Sequence, residues 1–311
     1  MRLVFFGTPA FAVPALAALL DSPHQVVGVV TQPDKPRGRG QRVSDSPVKA
    51  LALERGLHVM QPARLVRDEF AVEFAALGAD LGVVAAYGKI LPEWLLSTPR
   101  LGMINVHASL LPKYRGAAPV HRAVINGDTE TGVTIMRVVN ALDAGPMMAR
   151  VTRPIGPNES TDVVERDLAK LGAELLVAVV DDLAAGQAVE EPQNEADATY
   201  APRLTKQEGL IDFSLPAVGV HNRIRGLRPW PTAYTFLRVQ RLVIHQARVS
   251  EQPAGAAEPG TCVAAGVHGI TIACGDGRAI DVLQIQPEGR RTMSARDFLA
   301  GHGVLTGQRL G

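Results

Sequence analysis

The chain has 311 residues, of which 46% are apolar and 20% are charged, and its formal net charge is +1. This composition is that of a globular protein and excludes a disordered chain. A single hydrophobic core seldom exceeds about 250 to 300 residues, so the length favours two domains. The two cysteines, Cys262 and Cys274, form no Cys-x-x-Cys pair, which argues against a disulfide framework or a structural zinc site.

The charge is divided unevenly along the chain. Residues 203–311 hold 13 Lys and Arg against 8 Asp and Glu, or +5, whereas residues 1–202 hold 19 against 23, or −4. A basic C-terminal region indicates a polyanionic partner, although solvated arginines would give the same count. No stretch reaches the roughly 18 apolar residues of a membrane span, and residues 3–6 are too short for a signal sequence. We therefore expect a cytoplasmic protein without a membrane contact.

Short apolar runs alternate with segments of helical periodicity as far as about residue 138, which is typical of parallel strands joined by crossover helices. The predicted strands are residues 3–6, 25–30, 80–85, 103–107 and 132–139. The predicted helices are residues 10–20, 46–55, 66–77, 117–125 and 161–185. Ser46 precedes Pro47, which predicts a helix N-cap followed by proline in the first turn.

The pattern changes after residue 186. Residues 187–205 are polar and lack periodicity, which predicts a linker. A helical segment at 217–227 then precedes short β-rich runs at 233–237, 242–249, 261–264, 269–273 and 280–285. The predicted fold class is thus α/β: a doubly wound, mostly parallel sheet in residues 1–186, then a smaller OB-like β-barrel domain in residues 206–311.

Two loops that follow predicted strands are candidates for ligand binding. The turn at Gly7 lacks both Gly-x-Gly-x-x-Gly and a Walker lysine, so a tight βα turn is favoured over a nucleotide site. Residues 31–43, TQPDKPRGRGQRV, form a long connection at the carboxyl end of a strand. Its basic side chains are Lys35, Arg37, Arg39 and Arg42. They could contact RNA phosphates or simply be solvated.

The strongest candidate for catalysis is the strand at 103–107. Because strand side chains alternate between faces, Asn105 and His107 point to one side near its carboxyl end. An amide that steadies an oxyanion and an imidazole that moves protons are what acyl transfer to an amine needs. Asp143 follows the next apolar strand and could orient the imidazole, although an aspartate near Gly145 and Pro146 is also a common turn residue.

Several segments together resemble the folate-dependent formyltransferases, and more narrowly the methionyl-tRNA formyltransferase family. They are FFGTPAFAVPAL at the start, TQPDKPRGRG, AYGKILP, INVHASLLPKYRGAAPVHRAV, TGVTIM, LDAG and RGLRPWPTAY. The combination N-x-H-x-S-L-L-P with a distant L-D-x-G is specific to the folate-dependent group, and the C-terminal matches narrow it to the tRNA enzymes. Pro146 departs from the family's pattern, in which a polar residue is more usual at this position. A proline here affects the mobility that we expect of the loop that carries Asp143.

The resemblance assigns roles to individual residues. It implies that Asn105, His107 and Asp143 are catalytic. It implies folate binding by Ser109, Leu110, Leu111 and Pro112, and by backbone groups of Tyr87, Gly88, Ile90, Leu91 and Pro92. It implies that Lys35, Arg37, Arg39 and Arg42 contact the tRNA acceptor stem, with Arg39 as the key arginine.

The resemblance also implies a reaction and its partners. The formyl group of 10-formyltetrahydrofolate would pass to the α-amine of initiator methionyl-tRNA without a metal, in a protein that we expect to be a monomer. Two alternatives stay open at this point. One is a formyltransferase for a small amine, which would have little use for a basic second domain. The other is a non-catalytic RNA-binding protein with the same fold.

Overall fold

The computed structural model describes residues 1–37, 42–266, 269–304 and 306–311. The chain divides into two compact units. The first comprises Met1–Pro119, Thr131–Arg153 and Glu165–Ala201, and the second comprises Val120–Glu130, Pro154–Val164 and Pro202–Gly311. Arg39 lies outside the described residues.

Each strand and helix predicted from the sequence is present within a few residues of its predicted bounds, and the structure contains further strands and helices that the sequence did not predict. The strands are β1 (Arg2–Gly7), β2 (Gln25–Val30), β3 (Lys35–Arg37), β4 (Arg42–Ser44), β5 (Val59–Met60), β6 (Leu81–Ala85), β7 (Met103–His107), β8 (Arg115–Gly116), β9 (Glu130–Arg137), β10 (Met147–Pro154), β11 (Tyr200–Ala201), β12 (Ala233–Leu237), β13 (Gln240–Val249), β14 (Cys262–Gly266), β15 (Gly269–Ala273), β16 (Ala279–Pro287) and β17 (Met293–Ser294). The helices are α1 (Val13–Leu20), α2 (Pro47–Glu54), α3 (Arg67–Ala76), α4 (Glu93–Leu96), α5 (Pro119–Asn126), α6 (Thr161–Ala185), α7 (Ala217–Gly226) and α8 (Ala295–Gly301). Short 3-10 helices occupy Ala10–Ala12, Glu195–Asp197 and Gln207–Gly209.

The first unit is built on a sheet with the strand order β10-β9-β7-β6-β1-β2-β5. β1 pairs in parallel with β2 and β6, and β6 pairs in parallel with β7, whereas β9 runs antiparallel to β7. The prediction of a mostly parallel α/β sheet is confirmed. The chain order reverses between β1 and β6, and ligands of such sheets bind beyond the carboxyl ends of strands near such a switch point.

The sheet packs on an aromatic cluster. The rings of Phe6 and Tyr87 meet edge to face with their centroids 5.4 Å apart, and Phe74 packs against Phe6 at 5.8 Å. All three side chains are fully buried, so the first turn after β6 is anchored in the core at Tyr87. The Tyr87 hydroxyl has no hydrogen-bond partner in the described part of the chain, and burial raises the pKa of this residue to about 12.

The start of α2 confirms the prediction made from Ser46 and Pro47. The Ser46 side chain accepts a hydrogen bond from the amide of Lys49 at 3.1 Å, and the proline stands in the first turn. The predicted helix at 10–20 is instead a 3-10 turn followed by α1, because Pro14 has no amide hydrogen to donate. The basic connection at 31–43 contains β3 and β4, which pair antiparallel with Arg37 opposite Arg42.

The second unit contains an antiparallel sheet with the order β12-β13-β16-β15-β14, and β17 also pairs with β16. This confirms the prediction of a C-terminal domain of short β-strands. The pairings among the described residues form an open order, so closure into an OB-like barrel stays a prediction. α7 lies against β13 and β16 and buries Val220 and Ile224.

Two properties of the described ranges bear on the predicted class of protein. No helix there combines the length and the apolar character that crossing a membrane requires. No three His, Cys, Asp or Glu side chains in the same ranges are grouped so that they could hold a metal ion. Cys262 and Cys274 are both buried free thiols, and burial raises the pKa of Cys274 to about 12.

Candidate active site

Asn105 and His107 lie at the carboxyl end of β7, in the interior of the sheet. β7 is flanked by β6 and β9, and Asn105 stands opposite Val84 on one side and Met136 on the other. Ile104, whose side chain points to the other face of the strand, is fully buried, while Asn105 is half-buried. The alternation of strand side chains therefore separates a packing face from a polar face, as the sequence predicts.

His107 is held by two contacts. Its Nε2 lies 3.0 Å from the carbonyl oxygen of Tyr114, and its Nδ1 lies 3.7 Å from Oδ2 of Asp143. A carbonyl oxygen only accepts hydrogen bonds, so Nε2 carries a hydrogen and donates it. In the neutral ring, Nδ1 is then the unprotonated nitrogen and faces the carboxylate. The residue is only 5% exposed, and both of its ring nitrogens face oxygen atoms.

Asp143 is turned towards His107 by its backbone and by Gly116. Its φ of +47° lies in the left-handed region, which aspartate tolerates better than most residues. Oδ2 accepts a hydrogen bond from the amide of Gly116 at 2.8 Å. A Cβ on Gly116 would lie 2.7 Å from the carbonyl oxygen of Ala201, and its φ is +126°, so glycine is required here. The side chain of Asp143 is 16% exposed and does not point into bulk solvent.

A layer of polar residues that the sequence reasoning missed supports this pair. Gln193 donates from Nε2 to the carbonyl oxygens of Asp143 and Gly145, both at 2.8 Å. Its Oε1 accepts from Nε and Nη2 of Arg115 at 3.0 and 2.8 Å. Arg115 is buried and also pairs with Glu195 at 2.7 Å, and that hydrogen bond lowers the pKa of Glu195.

The same stretch of chain also fixes the segment that holds His107. Thr199 Oγ1 accepts from the Tyr114 amide at 2.8 Å, and β11 pairs in parallel with β8. The segment around residues 193–201 therefore contacts both the carboxylate side and the imidazole side of the site. The polar, aperiodic sequence of this segment predicts a linker. No local pattern around Gln193 indicates its contacts with Arg115 and the Asp143 loop.

Ser109 to Pro112, which the resemblance connects with folate, begin two residues after His107. Ser109 and Leu111 are buried, and both are tied to Thr134: its hydroxyl donates to the Ser109 carbonyl at 2.7 Å and accepts from the Leu111 amide at 3.1 Å. Leu110 and Pro112 are half-buried. Half of the segment is thus anchored in the first unit and half is accessible.

Tyr87 to Pro92, the other predicted folate segment, follow β6 at the same edge of the sheet. The Tyr87 carbonyl accepts from Nε2 of Gln32 at 2.7 Å, and Gly88 has a φ of +81°. Leu91 is buried in the core, whereas Ile90 is 89% exposed. The carboxyl ends of the neighbouring strands β6 and β7 therefore bring both predicted segments to one edge.

Comparison with known proteins decides the family. Residues 1–180 match a family model described as "Formyl transferase", and residues 203–303 match one described as "Formyl transferase, C-terminal domain". A methionyl-tRNA formyltransferase of Trichlorobacter lovleyi is 47% identical over 309 residues, which is 99% of this chain and 96% of that protein. Another, from Methylococcus capsulatus, is 48% identical over the full length of both chains. The chain belongs to the methionyl-tRNA formyltransferase family.

Membership of this family confirms the resemblance predicted from the motifs and makes the chain a formyl group transferase. Among solved structures, that of WlaRD, a sugar 3N-formyl transferase, aligns with a TM-score of 0.69 over 94% of this chain and 99% of that chain. At 17% identity this likeness shows the fold alone. Of the predicted tRNA contacts, Lys35 and Arg37 lie in β3 and Arg42 begins β4, while Arg39 falls outside the described residues.

Proposed function

We propose that this member of the family transfers the formyl group of 10-formyltetrahydrofolate to the α-amine of initiator methionyl-tRNA in translation initiation. The products are N-formylmethionyl-tRNA and tetrahydrofolate. The observation that carries the catalytic assignment is the approach of His107 to Asp143 at 3.7 Å beyond the strand that bears Asn105. Family membership supports the choice of donor and acceptor.

The proposed chemistry is addition followed by elimination. The amine nitrogen attacks the formyl carbon, and a C–N bond forms while the carbonyl electrons move to oxygen. The intermediate then collapses, the bond from the formyl carbon to N10 of the folate breaks, and N10 takes up a proton. The proton lost by the amine and the proton gained by N10 balance, so the transfer needs no oxidant or reductant.

Each catalytic residue has one task in this scheme. Asn105 donates a hydrogen bond from its amide to the oxyanion. His107 accepts the amine proton at Nδ1, since Nε2 donates to the Tyr114 carbonyl. The carboxylate of Asp143 stands beside Nδ1, and its negative charge favours the protonated ring as the proton moves.

The two predicted folate segments are proposed to seat the donor at the carboxyl edge of the sheet. Support comes from the exposed apolar side chain of Ile90 and from Gly88, which is itself exposed at this edge. We also propose that residues 1–186 catalyse and residues 206–311 bind tRNA, with Lys35, Arg37, Arg39 and Arg42 adding phosphate contacts. The protein is proposed to act as a monomer in the cytoplasm, and light scattering of the purified chain tests the oligomeric state.

A formylation assay with different acceptors tests the function. The full-length protein is given 10-formyltetrahydrofolate with methionyl initiator tRNA, free methionine or an amino sugar nucleotide. We expect product with the tRNA only. His107→Asn is expected to remove activity, whereas the control His58→Asn, which changes an exposed histidine, is expected to keep it.

Two results would contradict the proposal. Formylation of a free amine in preference to tRNA would point to a small-molecule formyltransferase. Binding of tRNA without product above the enzyme-free control would point to a non-catalytic RNA-binding protein.

A further inference from the structure

A basic cavity of about 240 Å³ lies within the second unit and shares no residue with the candidate active site. It is lined by the residues just before α6, by α7 and the turn after it, and by β13 and β16. The polar side chains that matter most are Asn158, Ser160, His221, Arg225, Arg228 and His245. Among the described residues that line the cavity, two are arginines, two are histidines and none is a carboxylate.

Arg225 lines this cavity and is only 7% exposed. Its Nε donates to Oδ1 of Asn222 at 2.9 Å, and Nη1 donates to the carbonyl oxygens of Glu159 at 2.9 Å and Gly156 at 3.3 Å. These three acceptors are uncharged. Burial lowers the pKa of Arg225, and the attraction of the Glu159 charge offsets this only in part. A buried cation with incomplete compensation favours a bound anion.

Arg228 also lines the cavity, is half-buried, and is weakly held. Its Nη1 lies 3.4 Å from the carbonyl oxygen of His245, and its Nη2 lies 3.5 Å from Oδ2 of Asp162. Both contacts are at the long end of the hydrogen-bond range, so the guanidinium can turn to a stronger acceptor. Its planar set of donors matches two phosphate oxygens.

The remaining walls add donors. The pairing of β13 with β16 shifts register on both sides of Gln246, and such bulges re-aim the side chains of a strand. His245, in this irregular stretch, is held by Gln286 at 2.9 Å. Ser160 immediately precedes α6, a helix of 25 residues whose first amide groups carry partial positive charge. His221 adds polarity without charge at neutral pH, because burial lowers its pKa to about 4.

We propose that this cavity binds a phosphate group of the RNA acceptor, with Arg225 and Arg228 as the principal ligands. This inference rests on the proposed function, because it takes the RNA of the formylation reaction as the ligand. The lining combines the buried guanidinium of Arg225 with the exposed residues Asn158 and Gln246, which suits an anionic group that enters from solvent on a larger molecule. The charge of +5 on residues 203–311 favours the same partner.

The test measures binding and catalysis separately in the full-length protein. Binding of uncharged initiator tRNA is titrated at several KCl concentrations for the wild type, Arg228→Gln and Arg225→Lys. Arg278→Gln is the matched control, since this exposed arginine of the second unit does not line the cavity. We expect Arg228→Gln to weaken binding about tenfold and to reduce the salt slope by about one, and the control to change neither. Arg225→Lys keeps the charge but loses the planar fork, and it should also bind more weakly.

Inorganic phosphate provides the second arm, with the thermal unfolding midpoint as readout. Phosphate should stabilise the wild type more than Arg228→Gln. If phosphate stabilises the wild type more than Arg228→Gln but the two proteins bind tRNA equally well, the cavity holds a free anion and the assignment to RNA is overturned. If Arg278→Gln weakens tRNA binding as much as Arg228→Gln, only general charge attraction operates and the site is overturned.

The wild-type formylation assay keeps the two proposals apart. A wild type that binds tRNA through Arg228 but makes no formylated product would contradict the proposed function and leave the phosphate site standing. A wild type that formylates tRNA while Arg228→Gln binds equally well would contradict the phosphate site alone.

Discussion

Replacing Gln193 by alanine tests whether the polar layer around the site positions catalytic groups. The change removes two hydrogen bonds at 2.8 Å to the carbonyls of Asp143 and Gly145. It also removes the acceptor for two nitrogen atoms of Arg115, at 2.8 and 3.0 Å. Each neutral bond is worth about 1 kcal/mol and a bond to a charged donor about 1.5 to 3 kcal/mol. Because Arg115 keeps its pairing with Glu195, we expect a loss of about 2 to 4 kcal/mol of unfolding free energy.

The same substitution should slow catalysis more than it weakens substrate binding. The loop that carries Asp143 would lose two of its restraints, and a small misplacement of a reacting group can cost up to about 10²-fold in rate. We expect kcat for tRNA formylation to fall roughly 10- to 10²-fold with little change in KM. Urea unfolding and steady-state kinetics on the same preparation measure the two effects.

Two further variants sharpen this test. Gln193→Glu keeps an oxygen for Arg115 but loses the two donors to the loop, so it should retain the low kcat of the alanine variant. Gln187→Ala changes an exposed amide and serves as the control. A Gln193→Ala protein that is destabilised as expected but turns over at the wild-type rate would show that Gln193 does not position the catalytic groups.

Four other changes have defined outcomes. Asn105→Ala should lower kcat about 10²- to 10³-fold through loss of an oxyanion donor, with an unchanged circular dichroism spectrum; wild-type turnover would contradict the role. Asp143→Asn should lower kcat about 10²- to 10⁴-fold, while the control Asp182→Asn on α6 should keep it. Tyr87→Phe should keep the folate KM, because the resemblance assigns the backbone to binding; a large rise would implicate the hydroxyl. The pKa of Tyr87 is about 12 in the folded state and about 10 in the unfolded state, so the wild type should lose stability between pH 10 and 12. The phenylalanine variant should lose less stability over the same range, as measured by urea unfolding at each pH. Arg39→Ala should impair tRNA formylation more than folate binding, and an equal loss of both would indicate a misfolded loop.

Local pattern predicted the long elements well. α6 spans residues 161–185 as expected, because its helical periodicity extends over seven turns. β2 and β7 also begin and end as predicted, since each is a nearly continuous apolar run. β10 was not predicted, because half-exposed alternation ending in arginine and proline gives a weak apolar signal. Two-residue strands such as β8 and β11 have no periodicity at all and exist only through their partners.

The candidate site likewise has features that local sequence predicts and features that depend on long-range contacts. Because side chains in any strand alternate, the sequence alone predicts that Asn105 and His107 share a face, and its motifs indicate the family. The approach of Asp143 to within 3.7 Å of His107 depends on the fold, as does the contact of Gln193, 50 residues further along the chain, with the Asp143 loop. Backbone geometry acts between neighbours in sequence, whereas these contacts form only after the sheet brings distant loops to one edge.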